Sequence, residues 1–179
     1  MSDNVYLGNP NLKKANTAIE FTQEQIYEFM RCKEDPVYFA NNYIKIVSLD
    51  EGLTQFHPYH FQEKLINNFH ENRFNICKMP RQTGKSTTVV SYLLHYAVFN
   101  DSVNIGILAN KAATARELLG RLQTAYENLP KWMQQGIIAW NKGSLELENG
   151  SKILAASTSA SAVSYTHLRA HETEAGVVC

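Results

Sequence analysis

Apolar positions along this chain recur first at helical spacing and then at alternating helical and strand spacing. Thr22 and Gln25 stand three apart, as in a capping box, and Ile26, Phe29 and Met30 then line one helix face. Asp35-Pro36 restarts a helix, with Asp as the cap and Pro in the first turn, and Val37, Phe39, Ala40 and Tyr43 follow. Residues 48–57 read as a loop around Glu51-Gly52. Pro58 opens a third helix carrying Phe61, Leu65, Ile66 and Phe69. The first twenty residues are polar and aperiodic and read as a mobile lead-in.

From Phe74 the pattern changes. Residues 74–77 predict a short strand that runs into a loop at 79–84. Residues 86–99 are apolar on nearly every face, which predicts a helix buried against a sheet. A second strand follows at 103–108. Asn110 is positioned to cap a long helix with Ala115, Leu118, Leu119, Leu122, Tyr126 and Leu129 on one face, ended by Pro130. Leu145 and Leu147 alternate with Glu146 and Glu148, Asn149-Gly150 follows, and then Ile153 and Leu154, which predicts a β-hairpin. Strand, loop, helix, strand, helix is the order of a parallel α/β sheet.

Composition narrows the class. A chain of 179 residues holds one domain with a real core. Hydrophobic residues at 44% against 19% charged fit a globular protein rather than a disordered one. Lys plus Arg equals Asp plus Glu at 17 each, which excludes binding nucleic acid by bulk charge but not a local basic groove. No apolar run approaches a bilayer span, and the N-terminus is too polar for a secretory signal. Cys32, Cys77 and Cys179 are odd in number and far apart, which argues for a reducing compartment.

Chemistry concentrates in Met79-Pro80-Arg81-Gln82-Thr83-Gly84-Lys85-Ser86. Its last three positions fit the phosphate-loop (Walker A) pattern G-x-x-x-x-G-K-[ST], and Met79 replaces the first Gly. In such a loop backbone N–H groups and a helix start face the phosphates, Lys neutralises the β and γ oxygens, and the hydroxyl binds Mg²⁺. The plain alternative is a strand–turn–helix joint with an exposed Lys. Arg81 either reaches a γ-phosphate, where it would stabilise charge developing in phosphoryl transfer, or makes a surface salt bridge. Gln62 either pairs with adenine or is a solvated helix residue.

Beyond the loop, residues 61–163 resemble the ATPase domain of the large terminase subunit of T-even-like tailed phages, the motors that pump DNA into a procapsid. The matching stretches are the Phe61-Gln62 helix start, Arg81-Gln82-Thr83-Gly84-Lys85-Ser86-Thr87 and Gly106-Ile107-Leu108-Ala109-Asn110-Lys111. The most specific are Gly136-Ile137-Ile138, Trp140-Asn141-Lys142-Gly143-Ser144 and Glu148-Asn149-Gly150-Ser151. The family's loop commonly lacks the first Gly as well. The resemblance implies a three-layer P-loop sandwich with N-terminal helices and an added hairpin, and ATP with Mg²⁺ as ligands. By position it makes Gln62 the adenine reader and Arg81 an arginine finger in cis. It gives Lys85 the phosphates, with Arg81 and Lys85 as the catalytic pair, and Ser86 the Mg²⁺. Gln82, Thr83, Gly84 and Thr87 complete the binding loop. Implied partners are double-stranded DNA, the portal protein, the small terminase subunit and further copies in a ring. The implied location is the infected host's cytoplasm, without membrane association or retention in the virion.

The resemblance ends near Val163. There the family continues with Arg-Gly and an apolar strand closing on the Walker B acids, then a coupling motif and a nuclease domain. Here Ser164-Tyr165-Thr166-His167-Leu168-Arg169-Ala170-His171-Glu172-Thr173 follows, and the run from Val163 to Thr173 resembles one reading frame of a transposase-type sequencing adapter. His167 and His171 stand one helical turn apart without further ligands, too few for zinc. The expected organisation is an N-terminal lead-in and helical region at 1–60, a partial P-loop ATPase domain at 61–163 and a non-native tail at 164–179, the chain itself lacking turnover. Two other readings remain at this point: another P-loop ATPase or helicase-like enzyme, and a nucleotide-binding module without turnover.

Overall fold

A computed structural model describes residues 4–48, 50–158 and 174–178. The elements run β1 (Val5–Tyr6), β2 (Asn9–Lys13), α1 (Gln23–Glu34), α2 (Pro36–Tyr43), β3 (Lys45–Ser48), β4 (Gly52–Gln55) and α3 (His60–Glu71). They continue as α4 (Lys85–Phe99), β5 (Asn104–Ala109), α5 (Ala112–Glu127), β6 (Ile137–Trp140), β7 (Ser144–Leu147), β8 (Lys152–Ser157) and β9 (Glu174–Val178). The main sheet has the order β6-β7-β8-β5-β9. β5 pairs parallel with β8 and with β9, and the β6–β7 and β7–β8 ladders are antiparallel. The fold is thus mixed α/β with a parallel-containing sheet.

Local sequence explains the helices. Thr22 caps α1 in a reciprocal box with Gln25, and the Asp35 carboxylate accepts from the amides of Val37 and Tyr38 ahead of Pro36. α4 is buried along almost its whole length, from Thr88 to Phe99, as its apolar pattern requires. α5 buries Ala115, Leu118, Leu119, Leu122 and Tyr126 on one stripe and packs on α4, β5 and β8. One connected core joins Leu12, Phe39 and Phe56 from the first part of the chain to Leu93, Ile107 and Ile153.

Several expectations are corrected. The N-terminal lead-in is an antiparallel β1–β2 hairpin whose Leu12 is buried in the core. Residues 48–57 include most of a second hairpin, β3–β4, which turns around Glu51 and Gly52; Gly52 has a positive φ of 70° that suits glycine. The third helix starts at His60 with Tyr59 as its cap, not at Pro58, and Lys111 rather than Asn110 precedes α5. Residues 74–77 form no strand, and Phe74 and Ile76 are exposed. β-Propensity was the whole basis for that strand, and propensity forms none where no neighbouring strand takes up the ladder. Of the tail set outside the fold, residues 164–173, with His167 and His171, and Cys179 lie outside the described residues. Glu174–Val178 forms a parallel ladder along β5, from Asn104 opposite Glu174 to Leu108 opposite Val178. Main-chain pairing of this kind asks little of sequence beyond an extended, β-tolerant segment.

Candidate functional site

The 79–86 segment leads into the N-terminus of α4. Gln82 and Gly84 both take left-handed backbone, with φ of 62° and 72°, so the chain curls sharply before Lys85 starts the helix. Curling brings the loop's own groups together. The Lys85 ammonium donates to the carbonyls of Met79 and Pro80, both at 2.8 Å, and the Thr83 hydroxyl donates to Pro80 O at 3.0 Å. Thr88 fixes the junction: its amide and its hydroxyl donate to Gly84 O at 3.0 and 3.1 Å. Ahead of that first turn the leading amides of α4 have no intrahelical acceptor, and the helix dipole adds positive potential there.

Charge along the segment has the same sign. Between Glu71 and Asp101 the chain carries no acidic residue, while Arg73, Lys78, Arg81 and Lys85 supply cations. This local excess of cations inside a neutral chain was legible in the sequence. Arg81 is exposed on the loop's turn. Gln82 is exposed, and Thr83, Ser86 and Thr87 are half-buried around the helix start.

Gln62 departs from its expected setting. It is buried rather than solvated: it is 3% exposed, on α3, with both ends of its amide engaged. Its Oε1 accepts from the Tyr59 amide at 2.8 Å, and its Nε2 donates to Thr83 O at 3.1 Å. A Cβ added to Gly84 would displace the end of the Gln62 side chain, and the positive φ of 72° favours glycine there.

The acids of the hairpin are also committed. Glu146 on β7 pairs with Lys152, its cross-strand neighbour on β8, at 2.8 Å. Glu148, just past β7, is held by groups from the start of the chain. Its Oε1 pairs with Lys13 at 3.0 Å and its Oε2 accepts from the Asn16 amide at 2.9 Å. Sequence reasoning missed Lys13 because no local pattern links residues so far apart in the chain.

An exposed, curled loop feeding a buried helix, in a fold whose sheet contains parallel strands, defines a mixed α/β protein. The family described as terminase large subunit, T4likevirus-type, N-terminal, matches residues 76–170, more than half of the chain. The chain belongs to that family. The match contains the whole loop, runs past Val163 and begins downstream of Gln62. The crystal structure of the HK97 bacteriophage large terminase is similar in fold, with a TM-score of 0.61 at 14% identity. That similarity covers 82% of this chain and 37% of the HK97 protein, so the chain spans well under half of that terminase's length. Among the described residues no helix is long and apolar enough to cross a membrane.

Proposed function

We propose that the 79–86 loop is a P-loop that binds ATP with Mg²⁺, in a three-layer P-loop sandwich. On this reading the chain is the nucleotide-binding part of a DNA-packaging motor. The supporting observation is the curl at Gln82 and Gly84, which turns the Lys85 ammonium back over the loop at the N-terminus of α4. A cation held by neutral carbonyls is available to stronger anionic acceptors, and phosphate oxygens are such acceptors. Lys85 would meet the β and γ phosphates, the backbone from Gln82 to Thr87 would cradle them, and the Ser86 hydroxyl would hold Mg²⁺. Bound Mg²⁺ would supply charge neutralisation at the phosphates. Arg81, exposed on the loop, takes the role of a finger that stabilises charge developing on the transferred phosphoryl group. Family membership extends the reading to double-stranded DNA, the portal protein, the small terminase subunit and a ring of copies in the cytoplasm of an infected host.

For this chain by itself a second reading, binding without turnover, is favoured by one observation. Glu146 and Glu148, the acids nearest the hairpin turn, are held by Lys152 and Lys13. Positioning and electrostatics supply nearly all catalysis in phosphoryl transfer, so the commitment of these two acids takes them out of consideration as water-orienting partners. Calorimetric titration with Mg·ATP tests the proposal. Lys85→Ala is expected to weaken binding at least tenfold with an unchanged melting temperature, and Arg81→Ala to weaken it far less. Equal affinity in wild type and Lys85→Ala overturns the loop assignment. Steady phosphate release by the wild-type chain overturns the second reading alone.

A further inference from the structure

We infer that the edge of the main sheet where β5 and β8 end is a contact surface for the phosphate backbone of double-stranded DNA, with Lys111 and Lys142 as its contact residues. The inference rests on the reading of this chain as part of a DNA-packaging motor and names a surface for the DNA; it does not depend on the assignment of the 79–86 loop. Topology brings the two lysines to one edge. β5 and β8 are parallel, with Ala109 opposite Ser157, and Lys111 follows β5 by two residues as the cap of α5. β7 runs against β8 with Ser144 opposite Leu154. The turn between β6 and β7, which carries Lys142, therefore faces the same end as the last residues of β5 and β8. Lys111 and Lys142 thus stand two strand spacings apart across the sheet, about 10 Å. Both are exposed, and neither has an ion-pair partner among the described residues.

The turn that carries Lys142 is braced. The Asn141 amide donates to Ser144 O at 2.9 Å and closes it. From outside, Gln123 Nε2 of α5 donates to Asn141 O at 2.9 Å, and the Ala155 amide of β8 donates to Gly143 O at 2.9 Å. Trp140, ahead of the turn, packs on buried Tyr126 with ring centroids 5.8 Å apart. A lysine on a braced turn loses little backbone freedom when it meets a partner. Charge decides what that partner is. Residues 102–116 and 128–145 contain no Asp or Glu and carry Lys111, Arg116, Lys131 and Lys142. Glu146 is held by Lys152, and Glu174 stands opposite Asn104 at the other end of β5. This edge therefore has one sign of charge in a chain that is neutral as a whole. Its neighbouring residues Asn110, Asn141 and Ser144 are short and polar, and no large exposed hydrophobic lies within 109–116 or 141–144. A protein partner needs an apolar centre to its interface, and stacking of bases needs an exposed aromatic face. A duplex backbone needs only cations and short polar donors.

The test measures binding of the full chain to a mixed-sequence DNA duplex by fluorescence anisotropy over a range of salt concentrations. Each phosphate contact contributes about 0.9 to the slope of log affinity against log salt. Lys111→Ala and Lys142→Ala should each lower the slope by about that amount, and the double variant by about twice as much. For each lysine this corresponds to about eightfold weaker binding at 0.1 M salt, the factor that such a slope carries over one decade. Lys142→Arg keeps the charge and should keep the slope. Lys152→Ala makes the same change in net charge but removes a cation that Glu146 already holds, so its slope should match the wild type. Melting temperatures are expected to stay at the wild-type value in every variant. An unchanged slope in the double variant overturns the inference. So does a loss in Lys152→Ala equal to that in Lys142→Ala, which would mean that only bulk charge is felt. Absence of duplex binding by the wild type at low salt overturns it too, while titration with Mg·ATP shows separately whether the nucleotide reading stands. Altered sedimentation of the double variant with unchanged duplex binding would also overturn it and make this edge a contact between copies of the chain.

Discussion

At the residue scale, buried polar side chains decide how this chain answers to pH. His95 lies in the middle of α4, 2% exposed, with its ring 5.5 Å from that of Phe39 and 4.9 Å from that of Phe99. Nε2 meets Cys32 O at 2.8 Å, and Nδ1 has no hydrogen-bond partner. Burial drives its pKa down from 6.5 to about 4, the Cys32 carbonyl pulls against that, and neighbouring His70 adds to it. Between those two values the unfolded chain binds the proton more readily than the folded one. Stability from a neutral His95 is therefore complete above about pH 6.5 and is lost as pH falls toward 4. The shift corresponds to about 3 kcal/mol. Urea denaturation from pH 7 to pH 4 should record that loss, and His95→Phe should flatten the slope whatever its stability at pH 7. An unchanged slope in His95→Phe would exclude His95 as its source. Cys32 follows the same logic: burial, with Glu28 adding to it, pushes the thiol up to about 12, which makes it an inert core residue.

At the element scale, α4 is held at both ends by residues from elsewhere in the sequence. Near its start Gln62 of α3 bonds the Thr83 carbonyl, and its end is fastened by the turn between β7 and β8. Asn149 Nδ2 donates to Ala97 O at 2.9 Å and to Asn100 O at 3.0 Å, and Ser151 Oγ donates to Asn100 O at 2.8 Å. These are carbonyls at or just past the helix end, where intrahelical donors run out. The Asn149-Gly150-Ser151 stretch is thus a helix stop supplied by a hairpin, a use that hairpin propensity alone does not reveal. Asn149→Ala should cost about 2 kcal/mol in chemical denaturation, since it unpairs Ala97 O and the Ser151 amide and takes one of two donors from Asn100 O. A cost near zero would mean that water replaces the amide freely. Much of this level was legible beforehand. The Thr22–Gln25 box, the stripe of α5, the apolar α4 and the β7–β8 hairpin each depend on neighbours within a few positions. The Gly84-Lys85-Ser86 turn was legible for the same reason. Gln62 was not, because polarity predicts exposure unless a partner is supplied, and its partner Thr83 comes from another element. Residues 74–77 failed in the opposite sense: a strand needs a neighbour, and sequence shows only its propensity.

At the scale of the whole molecule, the N-terminal segment closes the fold over the far end of the sheet. Leu12 inserts into the core, and its neighbours are tied by polar groups on both sides. Gln134 accepts from the Lys13 amide at 3.0 Å and donates to Asn11 O at 2.9 Å, and the Ala15 amide donates to Ile137 O at 3.3 Å. Glu148 completes the closure by gripping Lys13 and the Asn16 amide together. Burial alone would raise its pKa, but the backbone of Gly136, the Asn16 amide and the Lys13 ammonium outweigh it and hold the carboxyl below its usual range. Glu148 therefore stays ionised at neutral pH, and its grip weakens only as acid protonates it. Lys13 is mostly covered, with 11% of its side chain exposed, so removing its partner leaves an ammonium out of full contact with water. Glu148→Ala is expected to cost about 2 kcal/mol, less than for a fully buried pair because the Glu148 side chain keeps 23% exposure. Glu148→Gln should cost less, since it retains an acceptor for the Asn16 amide. The loss should begin locally: amides 10–16 should exchange faster in Glu148→Ala before those of α4 and α5 do, and proteases should cut the segment first. Hydrogen exchange read alongside urea denaturation separates the outcomes. Uniform loss across the core would make Glu148 a global support, and unaltered protection at 10–16 would show that Leu12 and Gln134 hold the closure without it.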